Sequence, residues 1–173
     1  AWILNMAAKL SENGVAGFLL ANGALSGGGE EYKIRRKLIE NNLVEAILVL
    51  PQGMFYTTPI SVSVWIINKD KKAHTRKIVN ETRNYRDREK EILFMDLRQM
   101  GEPFEKKYTQ FSETDIRKIA GTYHAWQTAP ANNLTNDVCV VETGHVQTGP
   151  VQKGHVETVP VQTGHVETGH VQT

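Results

Sequence analysis

The sequence predicts an α/β fold, and three features of its first part indicate this class. Residues 2–10 carry apolar side chains at intervals of three and four, the spacing of one buried helix face. Residues 15–21 and 44–50 are continuous apolar runs, which are typical of strands buried on both faces in a parallel sheet. Residues 61–67 alternate small polar with apolar side chains, the pattern of a strand with two different faces.

The order of these elements constrains the topology. A second helix is predicted over residues 30–41, so the order is helix, strand, helix, strand, strand. The connection from Leu50 to Ser61 is too short for a helical crossover, which takes a dozen or more residues. The last two strands are therefore predicted to be antiparallel neighbours, or the second starts a new sheet. Gly14 is predicted to take the left-handed conformation after the first helix, and residues 22–29 to form a flexible glycine-rich loop.

The remainder of the chain changes character twice. A short strand is predicted over residues 92–96, and the capping box of Ser112 and Asp115 predicts a helix that ends near Trp126. We therefore divide the chain into five segments: a partial α/β domain (1–68), a charged loop (69–90), a strand with a helix (91–129), a linker (130–140) and low-complexity five-residue repeats (141–173).

The repeat segment begins with Val-Glu-Thr-Gly-His at residues 141–145, and the unit recurs to Thr173. A valine at every fifth position forms no single apolar face on either a strand or a helix. Recurrent Gly and Pro would interrupt the backbone hydrogen bonding of either a strand or a helix, so we expect a disordered tail. A stacked solenoid is the alternative. The tail histidines match no compact zinc spacing, and no metal site is expected: His145, His155, His165 and His170.

Composition excludes several protein classes. The chain has 173 residues, of which 40% are hydrophobic and 23% charged, which are ordinary globular values. A net charge of +1 is too small to argue nucleic-acid binding from charge alone. The single Cys139 excludes an internal disulfide framework and fits a reducing cytosol. No apolar run approaches the roughly 20 residues of a membrane span. The sequence begins with Ala1 at the start of a helical pattern, so we expect the chain to be a fragment. The cysteine usage leads us to expect a cytoplasmic protein.

Five stretches of the sequence carry a family resemblance. They are residues 14–23, the Leu-Pro-Gln-Gly-Met-Phe of 50–55, residues 60–67, residues 92–96, and 115–126 with its Tyr-His-Ala-Trp ending. In order and spacing these stretches resemble the second half of the modification subunits of type I restriction–modification systems, which are DNA adenine-N6 methyltransferases. The resemblance covers Ala1 to about Trp126.

This resemblance implies the C-terminal part of a Rossmann-like, S-adenosylmethionine-dependent methyltransferase sheet ending in an antiparallel strand pair. A short helical segment and the disordered tail complete the predicted fold. The implied setting is the prokaryotic cytoplasm. The implied partners are DNA, the specificity and restriction subunits of a type I system, and a missing N-terminal methyltransferase half.

Two family motifs are absent from the sequence. One is the Phe-x-Gly-x-Gly turn that approaches the cofactor, and the other is the Asn-Pro-Pro-Phe that takes the hydrogens of the adenine amine. The Gly27-Gly28-Gly29 run follows a different strand and lacks the aromatic lead. We therefore assign no catalytic residue. S-adenosylmethionine is expected in the complete enzyme, whereas the fragment alone is expected to bind no cofactor and to be inactive.

What remains of the implied site is a pocket wall and a basic segment. Phe55 precedes the last strand, where the resemblance implies an aromatic that stacks on the flipped base; alternatively, Phe55 fills the end of the core. Asp96 and His124 are read as structural. Five basic residues of one segment are candidate DNA phosphate contacts, with a solvated loop as the alternative: Lys69, Lys71, Lys72, Arg76 and Lys77.

The functional hypothesis is a fragment of a site-specific adenine-N6 DNA methyltransferase. One alternative is a non-catalytic fragment that docks to specificity or restriction subunits through residues 112–126. The other is an inactive remnant of an interrupted gene fused to repeat DNA.

Overall fold

The computed structural model describes residues 2–57, 59–79, 81–129 and 138–142. The helices in this part of the chain are α1 (Trp2–Lys9), α2 (Gly29–Glu40) and α3 (Glu113–Thr128). The strands are β1 (Val15–Ala21), β2 (Val44–Val49), β3 (Val62–Asn68), β4 (His74–Ile78), β5 (Glu81–Tyr85), β6 (Glu91–Asp96), β7 (Glu102–Phe104), β8 (Tyr108–Gln110) and β9 (Val138–Glu142). Helices and strands are mixed along the chain, so the predicted α/β class is confirmed.

Among the described residues, five strands form one sheet in the order β1-β3-β2-β6-β9. Strand β3 runs antiparallel to both β1 and β2, β2 is parallel to β6, and β9 is antiparallel to β6. The predicted antiparallel pairing of β2 with β3 is therefore confirmed. Strands β1, β2 and β6 share one direction, and we call the edge at which they end the carboxyl edge. The opposite edge, where they begin, is the amino edge.

Helices α1 and α2 cover one face of this sheet. Ala7 of α1 and Leu38 of α2 are buried in the same cluster as Phe18 and Trp65. The rings of Phe18 and Trp65 stack at 6.4 Å between centroids. Full burial of a large apolar side chain such as Leu38 or Phe18 contributes about 1.5–3 kcal/mol, so this cluster fixes both helices to the sheet.

Helix α3 covers the second face. Trp126 is completely buried in a cluster with Leu48 of β2, Val62 of β3 and Leu93 of β6. The predicted capping box begins the helix: Asp115 N–H donates to Ser112 Oγ at 3.1 Å, and Ser112 N–H donates to the Asp115 carboxylate at 3.0 Å.

Strand β1 differs from the prediction in its burial and pairing. It lies at the end of the sheet and, within the described residues, pairs only with β3. Phe18 is buried, but Val15 and Leu19 are 53% and 47% exposed. The prediction of burial on both faces is wrong for β1, because the second-face cluster contains no β1 residue. The prediction of parallel pairing is also wrong, because β1 is antiparallel to β3. The same prediction is correct for β2, which is buried from Val44 to Leu48.

The segment 69–90 is not the exposed loop that its charge predicted. It contains the antiparallel hairpin of β4 and β5. Lys71 and Arg88, which flank the hairpin, are only 2% and 1% exposed. The partner that permits this burial is distant in sequence, because Glu45 of β2 lies opposite Arg88. A hairpin with polar residues on both faces leaves no apolar period to recognise.

A second hairpin, β7–β8, was also not predicted. Gly101 precedes it at φ +94°, and a Cβ there would lie 2.8 Å from the carbonyl oxygen of Gln110. Glu105 and Lys106 form its turn at φ 46° and 60°. The hairpin therefore depends on backbone conformations that the sequence marks only by Gly101.

The boundary between the predicted linker and the repeats needs correction. Residues 138–142 form β9, whose backbone pairs with β6 in the register Phe94↔Cys139. The linker assignment is thus wrong from 138 to 140, and the disorder assignment is wrong for 141 and 142, because the open edge of β6 takes up this strand. Residues 130–137 and 143–173 lie outside the described residues.

Two loop predictions are also corrected. Gly14 is not at positive φ; its N–H donates to Ser11 O at 2.9 Å, and a Cβ there would meet Ser11 backbone at 3.0 Å. The 22–29 loop begins with a 3-10 helix, Asn22–Leu25. Arg35 fastens this loop by donating to Ala24 O at 2.8 Å and to Gly27 O at 2.5 Å.

Candidate functional site

The carboxyl edge holds a polar recess of about 540 Å³. Ligands of open α/β sheets bind outside the carboxyl ends of the strands, so this edge is the expected place for a site. Asn22 follows β1, Gln52 follows β2 and Arg98 follows β6. Further lining residues are Pro51, Ser61, Gln99, Met100, Gly101, Glu102, Pro103 and Thr109.

Asn22 supplies an unused acceptor to this recess. Its side-chain oxygen Oδ1 is buried and has no hydrogen-bond partner among the described residues. Buried polar atoms are nearly always paired, because an unpaired one costs about 1–3 kcal/mol. A ligand group with an N–H or O–H donor would satisfy this oxygen.

Arg98 brings positive charge to the recess, but it is already partly engaged. Its Nη2 lies 2.6 Å from Asp96 Oδ2, and both side chains are about half exposed. The hydrogen bonds from Arg98 hold the pKa of the Asp96 carboxyl below its usual range. Glu102 on the same lining accepts from Gln110 Nε2 at 2.8 Å. The recess is therefore polar and close to charge balance, which suits a neutral polar ligand.

The loop between β2 and β3 lies at the same edge and contains Phe55. This side chain is partly buried and packs against the second-face core cluster. The β7–β8 hairpin supports the loop: Thr109 N–H donates to Gly53 O at 3.1 Å, and the Tyr108 ring contacts the Tyr56 ring edge-on at 4.6 Å. The loop is thus held in place by residues that follow it by about fifty positions.

A buried ionic cluster occupies the amino edge. Glu45 Oε1 lies 3.3 Å from Arg88 Nε and accepts from Gln127 Nε2 at 3.2 Å, while Asn68 donates to Oε2. The Trp126 ring lies 5.8 Å from the Arg88 guanidinium. These residues join β2, β3 and the end of α3, so we read the cluster as structural. A single carboxylate inside the apolar run of β2 was its one signal in the sequence.

Lys71 belongs to the same edge. Its Nζ donates to Asn42 Oδ1, Val44 O and Glu91 O at 2.9, 2.9 and 2.7 Å. Burial lowers the pKa of Lys71 to about 8, and the nearby positive charge of Arg88 acts in the same direction. The prediction that Lys71 contacts DNA phosphate is therefore wrong for this structure, because all three ammonium hydrogens have acceptors inside the protein.

Comparison with known proteins decides the family. A sequence profile described as N-6 DNA methylase matches residues 1–147 of the chain. The chain belongs to the N-6 DNA methylase family. The methylase subunit of the type I restriction enzyme HindI, from Haemophilus influenzae, is 38% identical over 130 residues, which are 75% of this chain and 26% of that protein.

A second sequence relative and a solved structure are also similar to this chain. The MjaIX methylase subunit of Methanocaldococcus jannaschii is 29% identical over 137 residues, which are 79% of this chain and 22% of that protein. The solved type I methyltransferase subunit from Streptococcus thermophilus superposes with a TM-score of 0.58 at 23% identity, over 70% of this chain and 22% of that one. This N-6 DNA methylase chain therefore spans about a quarter of the length of the relatives it matches.

N-6 DNA methylases use S-adenosylmethionine, but the described residues do not provide the glycine cradle of that cofactor. The glycine segment after β1 turns the carbonyl groups of Ala24 and Gly27 toward Arg35. A Cβ on Gly27 would lie 1.9 Å from the Glu31 carboxylate, so a side chain of α2 fills the space beside the segment.

The structure separates the two parts of the predicted site. Phe55 lies at the carboxyl edge, before β3 begins, whereas Lys69 follows the end of β3 at the amino edge. Seven strand residues span roughly 20 Å. Lys69 donates to Leu10 O at 2.6 Å. The other three basic residues of the prediction, Lys72, Arg76 and Lys77, are exposed on the amino-edge side.

Other titratable residues are not brought into a site. Asp96 pairs with Arg98 at the carboxyl edge, while His124 Nδ1 lies 3.2 Å from Gln127 Oε1 on α3. In the part of the chain that the structure describes, no group of His, Cys, Asp and Glu could hold a metal ion. In the same part, no helix is long and apolar enough to cross a membrane. The tail histidines lie outside the described residues.

Proposed function

We propose that the chain is part of a site-specific DNA methyltransferase of a type I restriction–modification system. The complete enzyme would transfer a methyl group from S-adenosylmethionine to the N6 amine of adenine in cytoplasmic DNA. The observation that carries this proposal is the similarity to type I methylase subunits over about three quarters of the chain. The fragment itself contributes no cofactor or catalytic motif and is inactive alone.

Within that enzyme, we assign Phe55 to the wall of the target-base pocket. A flipped adenine needs an apolar surface for its ring and polar partners for its edges. The partly buried ring of Phe55 and the unpaired oxygen of Asn22 stand at the same edge of the sheet. Stacking on such a ring is worth roughly 1–3 kcal/mol per base.

The exposed basic residues of the amino edge are assigned to DNA phosphates away from the flipped base. They lie on the amino-edge side of the sheet, whereas Phe55 lies at the carboxyl edge, so they would contact the DNA at a distance from the base pocket. Each phosphate contact would steepen the salt dependence of binding. The members of this set are Lys69, Lys72, Arg76 and Lys77.

A chimeric enzyme tests the proposal. The segment of the HindI methylase subunit that aligns with this chain is replaced by the aligned residues of this chain, and the product is expressed with the HindI specificity subunit. We expect N6-methyladenine in DNA, measured by mass spectrometry of digested nucleosides. The HindI subunit with the segment deleted is the control and should give none. A chimera that assembles and binds DNA without methylating it would contradict the proposal.

A second candidate is a docking role without catalysis. Ile116 on α3 is 54% exposed although it is apolar. Helix α3 is also fastened to the sheet through Trp126 and Gln127, so it could present such a face rigidly. Capture of a specificity subunit by the isolated chain, abolished by Ile116→Glu, would favour this role.

A further inference from the structure

A pair of tyrosines stands beside Phe55 at the carboxyl edge. Tyr56, which follows Phe55 directly, is 69% exposed. Its ring contacts the Tyr108 ring of β8 edge-on, at 4.6 Å between centroids. Because Tyr108 is only partly exposed, this contact holds the Tyr56 ring in place at the surface. A ring that is exposed to this extent contributes little to the core, and most of its apolar surface is open to a partner.

The neighbouring rings of Phe55 and Tyr56 have different surroundings. Phe55 packs against the second-face core cluster, whereas Tyr56 contacts the β7–β8 hairpin. This hairpin also lines the polar recess, through Thr109 and Glu102. Thr109 N–H donates to Gly53 O at 3.1 Å, which ties the hairpin to the loop. The tyrosine pair is therefore a second aromatic surface, beside the recess but separate from Phe55.

Positive charge lies next to the tyrosine pair. The turn before Tyr108 reads Glu-Lys-Lys at residues 105–107, so its net charge is positive. Lys106 and Lys107 are exposed, and within the described residues neither ammonium has an ion-pair partner. We call Tyr56, Tyr108 and these two lysines the aromatic–basic surface.

The chemistry of the aromatic–basic surface favours an unpaired stretch of nucleic acid. An exposed ring can stack on any base, because every base has a π face, and cations beside it bind the phosphates of the same strand. Flipping one base out of a duplex leaves its partner unpaired and its neighbours without their usual stacking. An acidic protein surface would use the lysines but would gain little from the ring faces.

We infer that the aromatic–basic surface holds an unpaired base of the DNA beside the flipped adenine, with the Tyr56 ring stacked on that base. Lys106 and Lys107 contact phosphates of the same strand. This inference rests on the proposed function, in which DNA is the substrate. It adds a second aromatic contact, whose base differs from the adenine assigned to Phe55. It also gives the carboxyl edge phosphate contacts that the basic residues of the amino edge do not supply.

Photo-crosslinking of the full 173-residue chain tests the base contact. The probe is a short oligothymidine strand in which one base is 5-iodouracil. Irradiation should attach the strand to Tyr56 or Tyr108, identified by mass spectrometry of tryptic peptides. The same strand paired with its complement should react far less, because its bases are already stacked. No crosslink at either tyrosine, or equal reaction of strand and duplex, would overturn the inference.

Substitutions separate stacking from a structural role. Tyr56→Leu should weaken binding of a fluorescein-labelled oligothymidine about 5- to 150-fold by anisotropy, because the stacking ring is lost. Tyr56→Phe keeps the ring and should bind like the wild type. Tyr32→Leu is the matched control, since Tyr32 is 46% exposed on α2, on the sheet face opposite α3. Equal binding of Tyr56→Leu and Tyr56→Phe would contradict the stacking.

The salt dependence of the same titration tests the lysines. Lys106→Gln and Lys107→Gln should each reduce the slope of log affinity against log salt concentration by roughly 0.7. Lys118→Gln, at an exposed position of α3, should leave the slope unchanged. Slopes equal to that of the wild type in both turn variants would overturn the phosphate contacts.

The outcomes also distinguish this inference from the proposed function. If the chain crosslinks through Tyr56 but the HindI chimera methylates no DNA, the surface stands and the proposed function fails. If the chimera methylates, but no crosslink forms and Tyr56→Leu leaves its KM for DNA unchanged, the function stands and the surface fails. A specificity subunit that binds the wild type but not Tyr56→Leu, with oligothymidine binding unchanged, would assign the surface to a protein and overturn the inference.

Discussion

Arg88 lies against Glu45 in the interior of the protein, with Nε 3.3 Å from Oε1 and side-chain exposures of 1% and 0%. The two residues are 43 positions apart in the sequence. Gln127 and Asn68 donate to the same carboxylate, so both of its oxygens accept hydrogen bonds. This single carboxylate therefore joins the centre of the sheet to the end of α3.

Loss of one member of this pair should destabilise the protein strongly. Arg88→Met leaves the Glu45 charge buried without its partner, which costs about 3–5 kcal/mol. We expect a decrease of that size in the free energy of unfolding, measured by urea denaturation. The double variant Glu45→Leu/Arg88→Met should lose less than the sum of the single variants, because no charge is left unpaired.

An exposed pair provides the control. Arg117 lies 2.9 Å from Glu113, but the two side chains are 76% and 80% exposed. Arg117→Met should therefore change the free energy of unfolding by no more than about 0.5 kcal/mol. Similar losses for Arg117→Met and Arg88→Met would contradict the role assigned to burial.

Lys71 should make stability depend on pH in alkaline solution. Burial lowers its pKa from 10.5 to about 8. Below pH 8 the ammonium is charged in both states, and its burial is fully unfavourable. Between pH 8 and 10.5 the unfolded chain binds more protons than the folded one, so stability rises with pH. The total gain is at most about 3 kcal/mol.

The measurement is the difference in unfolding free energy between wild type and Lys71→Met, followed by urea denaturation from pH 7 to pH 10. We expect this difference to shift in favour of the wild type above pH 8. Lys72→Met, which removes an exposed charge from the same segment, serves as the matched control. A difference that stays constant across the range would show that Lys71 does not titrate there.

Local patterns of apolar residues predicted most of the central elements. Spacings of three and four residues indicated α1 and α2, continuous apolar runs indicated β1 and β2, alternation indicated β3, and a capping box marked the start of α3. The two hairpins were not predicted, because their strands are short and largely polar. The burial of Arg88 could not be predicted either, since it depends on Glu45, and no local pattern connects residues so far apart.

The site was predictable in part. The position of Phe55 at a strand end follows from the short connection to β3. Lys69 follows the end of β3, and the antiparallel register of β3 places it at the edge opposite Phe55. The sequence analysis did not separate the two residues. Asn22 gave no signal, because an unpaired buried oxygen is a property of packing and not of residue type.

Gly101 should be essential to the hairpin that supports the Phe55 loop. Gly101→Ala places a side chain at φ +94° and 2.8 Å from the Gln110 carbonyl oxygen, so backbone must move. We expect the free energy of unfolding to fall by about 1–3 kcal/mol and hydrogen exchange to become faster at residues 102–110 and 53–56. Gly121→Ala is the control: its Cβ meets open space in α3 and should stabilise by about 0.5–1 kcal/mol. Unchanged hydrogen exchange at residues 53–56 in Gly101→Ala would contradict the claim that the β7–β8 hairpin supports the Phe55 loop.

Substitutions of Phe55 in the chimeric enzyme should distinguish base stacking from core filling. Phe55→Ala removes a stacking surface worth roughly 1–3 kcal/mol, so kcat/KM for DNA should fall about 5- to 150-fold. Phe55→Leu keeps an apolar side chain of similar size but has no aromatic face, and Phe55→Tyr keeps the ring. If the ring stacks on the flipped adenine, the Phe55→Leu variant should be as stable as the wild type yet nearly as inactive as Phe55→Ala. The Phe55→Tyr variant should retain activity. If Phe55 only fills the core, the activity of each variant should follow its thermal stability. Phe55→Leu should then be both more stable and more active than Phe55→Ala.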